Sequence, residues 1–365
     1  MKFLLKTLVA PFLLLAAVSC AESESDTTFE ERQEEAFDLW MAKYHPDIPK
    51  LESGLYMEWI SRNPSHRRLN EGYWMELNYT GYTIAGDIYA SRSAAVADQL
   101  GHFSYLTHYA GEYSQYTATF SESDYTALTK YPIAQIEALA LMHEGDSVRL
   151  YIPPKLGYIY GFSGDVGYVP TVSTVSMIAG HPAILELGLR KVVPDPIVHD
   201  YEQTHLFARD SLGILSPADS TAYGLYMKKL VEVPEGDSIT KDSTVSVYYI
   251  GRFIDGFVFD TNIDSVAKAH NIYLEQVEID EGSTQHYDAI SYTPYNNSDR
   301  FPSQGVSDML IHMLRGERAI GVMNSSLGYG ISGNTDTNRD GYLQVPPYTP
   351  LIYEIYVEPK ETDKE

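Results

Sequence analysis

The chain has one cysteine in 365 residues, which excludes an intrachain disulfide and a thiolate metal cluster. Basic side chains are scarce: 26 Lys and Arg stand against 50 Asp and Glu, a formal charge of −24. That balance repels phosphate backbones and anionic lipid heads, so neither nucleic acid nor a charged membrane surface is an expected partner. Eleven histidines are scattered without metal-ligand spacing, and no CxxC, HExxH, P-loop or GxSxG is present. No apolar run reaches the length of a membrane-spanning helix. What the chain does have is tyrosine, 30 of them, with 26 glycines and 19 prolines.

The longest apolar run lies in the opening "MKFLLKTLVAPFLLLAAVSC". Lys2 and Lys6 form a basic start, Leu8 to Val18 an apolar core about a dozen residues long, and small residues lead to Cys20. This pattern resembles a bacterial lipoprotein signal, with Ala17 where leucine is preferred. The resemblance implies removal of residues 1–19 and acylation of Cys20. An ordinary secretory signal with an incidental cysteine is the alternative, and the place of the single cysteine at the cleavage point favours the anchor. Residues 20–28 then read as an acidic, solvated tether, similar to the export tags of Bacteroidetes surface lipoproteins. The expected location is the envelope of a Gram-negative bacterium, on the outer membrane, held there by lipid alone.

The tetrapeptide "GLYM" occurs at 54–57 and again at 224–227. At that offset of 170, Tyr79 falls on Tyr249, Gly81 on Gly251 and Gly86 on Gly256. With one residue of slippage, Leu139 meets Leu310, Met142 meets Met313, Gly145 meets Gly316, and "LGY" at 156–158 meets "LGY" at 327–329. So long a period means two duplicated domains rather than a repeat array. The prolines of "VVPDP" (192–196) place the boundary, giving domains over 29–193 and 197–361.

Each unit is expected to begin with a helix, marked in the first by Ala36, Phe37, Trp40 and Tyr44, and in the second lying within "IVHDYEQTHLFARDSL". Val245, Val247 and Tyr249 then alternate as a strand, and Asp255-Gly256 signals a hairpin. Val306, Met309, Leu310, Met313 and Leu314 form one helical stripe, with Gly316 expected at its C-cap. Leu351, Tyr353, Ile355 and Val357 alternate as a final strand. The class is α+β, an antiparallel sheet wrapped against one helix in each unit, with an extra N-terminal helix.

The second unit carries "YIGRFIDGFVFD" (249–260), "LIHMLRGE" (310–317), "LGYG" (327–330) and "VPPYTPLIY" (345–353). Four separated motifs in this order resemble the FK506-binding-protein (FKBP) family of peptidyl-prolyl isomerases, over about 197–359. The two-domain layout is similar to FKBP lipoproteins of Bacteroidetes. The resemblance implies a cofactor-free isomerase acting on proline-containing polypeptides and assisting the folding of envelope or exported proteins. It places Tyr249, Phe259, Asp260 and Tyr329 as catalytic residues and Ile290, Val306, Val345 and Tyr353 as pocket walls. Tyr353 stands where phenylalanine is usual. Where the family has V-I-x-G-W, this chain reads "PSQGV" (302–306), so the floor tryptophan becomes Val306 and its aliphatic neighbour Ser303. The expected activity is weak, and a non-catalytic chaperone or protein-binding lipoprotein is the alternative. The floor is then expected to be shallower, and Val306→Trp to gain activity unless another side chain, Tyr287 or Tyr295 first among the candidates, fills the space.

The first unit keeps Tyr79 and Tyr158, but Phe becomes Tyr89 and Asp becomes Ala90, with Gln135 at the floor and Leu185 at the last wall. It reads as a binding or spacer module. Asp336, Asn338 and Asp340 before Gly341 resemble the start of a calcium loop, yet Pro347 stands where its closing glutamate belongs, so no metal is expected there. Long inserts at 91–130 and 261–299 are candidates for a lid or partner surface, and "DSVAKAHNIY" in the second for a short helix.

Overall fold

The computed structural model describes residues 28–118, 132–157, 180–215, 221, 223–273, 287–296, 303–334 and 345–360. The leader, Cys20, Tyr158 and the Asp336–Asp340 loop lie outside the described residues. Residues 1–47 and 48–365 are separate compact units. The first holds helix α1 (Phe29–Tyr44), begun by a capping box in which Thr28 and Glu31 satisfy one another's backbone amides. Phe37 and Met41, one turn apart, are its buried residues, while Ala36 and Tyr44 are exposed, so its buried face is narrower than the pattern of aromatics predicts.

The second unit begins with strands β1 (Tyr56–Ser61), β2 (Trp74–Thr83) and β3 (Ile88–Ser91), helix α2 (Ala94–Gln99) and strand β4 (Glu112–Gln115). Helix α3 (Ile133–Leu141), β5 (Ser147–Ile152) and β6 (Ala183–Val193) complete the first half. Helix α4 (Pro196–Phe207) opens the second, followed by β7 (Leu225–Val231), β8 (Val245–Phe253), β9 (Val258–Thr261), helix α5 (Asp264–Ala269) and β10 (Ile290–Tyr292). Helix α6 (Ser303–Leu310), β11 (Arg318–Met323) and β12 (Leu351–Val357) end the chain's regular structure.

Both six-stranded antiparallel sheets share one topology. The first runs β1-β5-β6-β2-β3 with β4 also on β2; the second runs β7-β11-β12-β8-β10 with β9 also on β8. Leu185 lies opposite Gly81 in the first, as Tyr353 lies opposite Gly251 in the second. The repeat seen in the sequence is therefore a repeat of strand order and register, and the molecule is a tandem of two α+β domains.

In each half one helix lies in the sheet's core. Ala134, Ala138 and Leu139 of α3 join the first cluster, and Val306, Met309 and Leu310 of α6 join the second. Helix α6 ends at Leu310, short of the predicted stripe, because the chain leaves it to pair Leu314 with Ser238 and Arg315 with Asp237. Gly316, with φ +90°, therefore serves the turn into β11 and not a helix cap.

Asp195 caps α4 by accepting from the Ile197 and Val198 amides, and Pro196 occupies its first turn. The chain continues past Phe207 through a wide turn, and Ala208 and Leu212 there pack with Tyr226, Val322 and Ile352. Strand β12 is thus covered on both faces. Leu351, Tyr353, Ile355 and Val357 face the main core, as their alternation predicts, while Ile352 faces the cluster that follows α4.

Candidate active site

Strand β8 and its hairpin partner β9 present the first side chains of the site. The turn between them is the predicted one: Gly256 has φ +92°, its amide reaches the Phe253 carbonyl, and Asp255 Oδ1 accepts from the Phe257 amide. Gly251 on β8 explains how the Phe259 ring lies across the strand. A Cβ there would stand 2.7 Å from the ring, inside van der Waals contact. The Tyr249 hydroxyl donates to Asp260 Oδ2 at 2.6 Å, and both residues are buried. Such a short phenol–carboxylate bond away from water fixes the carboxylate's orientation.

Strand β12 supplies Tyr353. Its ring lies 6.0 Å from Phe259, edge to face, and 6.3 Å from Tyr249. Burial pushes the Tyr353 phenol well above its ordinary pKa, and Tyr329, Asp260 and Tyr249 push it further. It is a neutral hydroxyl amid the aromatic walls. Tyr329, half-buried, follows the short helical turn Ser325–Leu327 and packs with Val306, Val345 and Ile290 in the same cluster. Asp200 of α4 anchors that turn: its Oδ2 accepts from the Ser325 amide at 2.8 Å, and burial raises its carboxyl from the ordinary 3.8 to about 6.

All eight expected pocket residues thus belong to one cluster or contact it directly. Two expectations about the floor are corrected. Val306 is 1% exposed and fully packed, and neither insert tyrosine fills the space beside it. The Tyr295 hydroxyl donates to Asp308 at 2.7 Å while its ring is half in water, and Tyr287 stacks on Tyr273 at 4.8 Å beside a different cluster. The extra polar atom inside the walls is the Tyr353 hydroxyl. The sequence did forecast a short helix in the insert, and α5 is that helix.

Sequence reasoning missed Asn262. Its side chain accepts from the Tyr249 amide at 2.7 Å and donates to the Val247 and Asp288 carbonyls, pinning β8, the end of β9 and the chain before β10. It also missed Phe253, whose ring lies 4.9 Å from Phe259 and carries the aromatic wall toward the hairpin tip. A buried amide two residues after Asp260 has no periodicity to give it away.

The corresponding positions of the first domain keep the frame without the carboxylate. The Tyr89 ring crowds Gly81 as Phe259 crowds Gly251, but Ala90 offers no carboxylate. Gln135, at the place of Val306, is buried, and its amide nitrogen has no partner among the described residues. No group of side chains suited to a metal ion is found among the described residues. No helix among them is long and apolar enough to cross a membrane.

Residues 236–358 match the family model of the FKBP-type peptidyl-prolyl cis-trans isomerases. No curated protein matches the chain. Similar solved structures include the three FKBP domains of wheat FKBP73, 14% identical over 84% of this chain and 95% of that one, with a TM-score of 0.26. A peptidyl-prolyl isomerase from Pseudomonas syringae is 20% identical over 45% of this chain and 91% of that one, with a TM-score of 0.31. FkpA from Escherichia coli is 17% identical over 45% and 60%, with a TM-score of 0.28. At such TM-scores the family assignment rests on the sequence match, which spans Tyr249, Phe259, Asp260, Tyr329 and Tyr353. Residues 236–358 form a domain of the FKBP-type peptidyl-prolyl cis-trans isomerase family.

Proposed function

We propose that this protein is a lipid-anchored prolyl isomerase whose activity resides in the second domain and is weak. Its clients are proline-containing polypeptides folding in the cell envelope. The observation that carries the reading is the Tyr249–Asp260 hydrogen bond, 2.6 Å long and set among Phe259, Tyr353 and Val306.

Rotation about an X–Pro bond must break amide resonance, a barrier of ~18–20 kcal/mol in water. No proton moves permanently and no bond to the client forms. A site lowers the barrier by holding the twisted amide better than the planar one. Aromatic walls shed water from the prolyl ring, and the fixed Asp260 carboxylate supplies a field that need not reorganise during rotation. On this reading the Tyr329 hydroxyl, buried beside the Tyr353 phenol, donates to a client carbonyl once a prolyl ring enters. Isomerisation of a proline peptide by the full chain, compared with Asp260→Ala, tests the reading. A rate unchanged by the substitution would overturn it.

A second reading, a binding module without turnover, draws on the burial of the walls. Tyr249, Tyr353 and Val345 are fully buried and Val306 nearly so, and a prolyl ring must displace something to reach them. Peptide binding without rate enhancement favours that reading. The anchor has its own test: Cys20→Ser should abolish fatty-acid labelling of the protein, and labelling that persists would remove the lipid from the account.

A further inference from the structure

The loop between α2 and β4 in the first domain reaches the β8–β9 hairpin of the second. The His108 ring lies 4.8 Å from Phe253 and 4.7 Å from Phe257, and its Nε2 stands 2.6 Å from Asp255 Oδ2. Leu106 packs into the cluster of Ile250, Val258 and Ile272. Burial pushes the Asp255 carboxyl up, but the His108 contact and the Phe257 amide outweigh it and hold the carboxyl below its ordinary pKa. This loop is seated on the hairpin whose other residues form the prolyl pocket.

Beside that seat is a cleft of about 270 Å³, walled by Phe103, Tyr105 and Tyr109 on one side and by Phe257, His270 and Ile272 on the other. Phe103 stacks on Tyr109 at 5.4 Å and meets Tyr105 edge-on at 5.0 Å. Phe103 is 39% and Tyr105 55% exposed. Grouped exposed aromatics facing a cleft mark a contact surface more often than isolated ones do. The cleft is smaller than a typical small-molecule pocket, and no lysine, arginine or carboxylate lines it among the described residues.

We propose that the first domain completes the client site of the second: this cleft takes an apolar or aromatic side chain of the same polypeptide whose proline enters the Phe259–Tyr353 pocket. The proposal rests on the isomerase reading above. Continuity with the pocket supports it, because Phe257 stacks near Phe253 at 6.0 Å and Phe253 meets Phe259 at 4.9 Å. Those two ring steps span no more than roughly three residues of extended chain, at about 3.3 Å each. An aromatic-lined cleft also suits a sugar, but two of its hydroxyl oxygens already accept bonds within the loop. Ser104 Oγ accepts from the Leu106 amide, and the Tyr109 hydroxyl accepts from the Ser104 amide. An apolar side chain asks nothing of them.

The test uses the full chain and labelled proline peptides with phenylalanine or serine three residues before or after the proline, read by fluorescence anisotropy and by isomerisation rate. In one of the two placements the phenylalanine peptide should bind about tenfold tighter than the serine peptide, or ~1.4 kcal/mol. Phe103→Ser with Tyr105→Ser should abolish that preference and leave the serine peptide's affinity unchanged. Equal affinities in the natural protein, a preference that survives the double substitution, or displacement of the peptide by a neutral oligosaccharide would each overturn the proposal. Failure of the isomerase reading is distinguishable: no peptide is then isomerised, while a proline-free phenylalanine peptide still binds and loses its affinity in the double variant.

Discussion

The two domains fold the same way and differ where it matters for chemistry. In both, a ring crosses a glycine of the long second strand, Tyr89 over Gly81 and Phe259 over Gly251, and the same register brings the last strand behind it. In the second, the next residue is Asp260, oriented by Tyr249. In the first it is Ala90, and two residues on, Arg92 stands buried where the second domain has Asn262. The glycine is needed to build the sheet in either case. The carboxylate is not, and its loss leaves the fold standing. What the comparison teaches is that this architecture stands with or without the carboxylate, so fold alone never licenses the activity.

The largest expected effect comes from making the second domain resemble the first at Asp260. Asp260→Ala should cut isomerisation at least tenfold. It should also destabilise by about 1–3 kcal/mol, because it strands the buried Tyr249 hydroxyl. Asp260→Asn keeps an acceptor for that hydroxyl, so urea unfolding should show it near natural stability while the rate still falls. If both variants lose stability equally, the Tyr249 bond is not what holds the site.

Next is the floor. A shallow empty space predicts that Val306→Trp restores activity, but the packing around Val306 predicts the opposite. The larger ring should cost roughly 1–3 kcal/mol by overfilling and bring no gain in rate. A rise in activity at unchanged stability would show that the pocket has room the packing denies.

A smaller effect separates the domains by pH. Asp200 is buried and its carboxyl titrates near 6 when folded, against 3.8 ordinarily. A raised carboxyl pKa favours the folded state fully below the unfolded value, and that advantage fades as pH rises through about 6. Asp200→Asn should therefore flatten the stability profile between pH 4 and 7, with the variant the more stable at pH 7.5 by up to about 2 kcal/mol. Thermal unfolding across that range checks it, and parallel profiles for the two proteins would refute it. The smallest is the helix cap: Thr28→Ala should cost α1 about 1 kcal/mol, readable as lost helicity in circular dichroism.

Much of this was legible in the sequence. Strand order repeats because apolar alternation, the Asp-Gly turn and the paired glycines repeat, and those are local signals. The pocket residues were legible because their motifs are short and ordered along the chain. The end of α6 was not, since the apolar stripe runs on through Met313 while the backbone turns away to pair Leu314 with Ser238. Asn262 and the His108 loop were hidden for a related reason. Each acts through a partner distant in sequence, Val247 and Asp288 for one and Asp255 for the other, and no period links them.

The most direct test exchanges the pockets within the full chain. One variant gives the second domain the first domain's residues, Phe259→Tyr with Asp260→Ala; the other gives the first domain those of the second, Tyr89→Phe with Ala90→Asp. Measured on the same proline peptide, the first exchange should abolish isomerisation and the second should leave the natural rate unchanged. Activity that survives the first exchange would contradict the assignment of catalysis to the second domain.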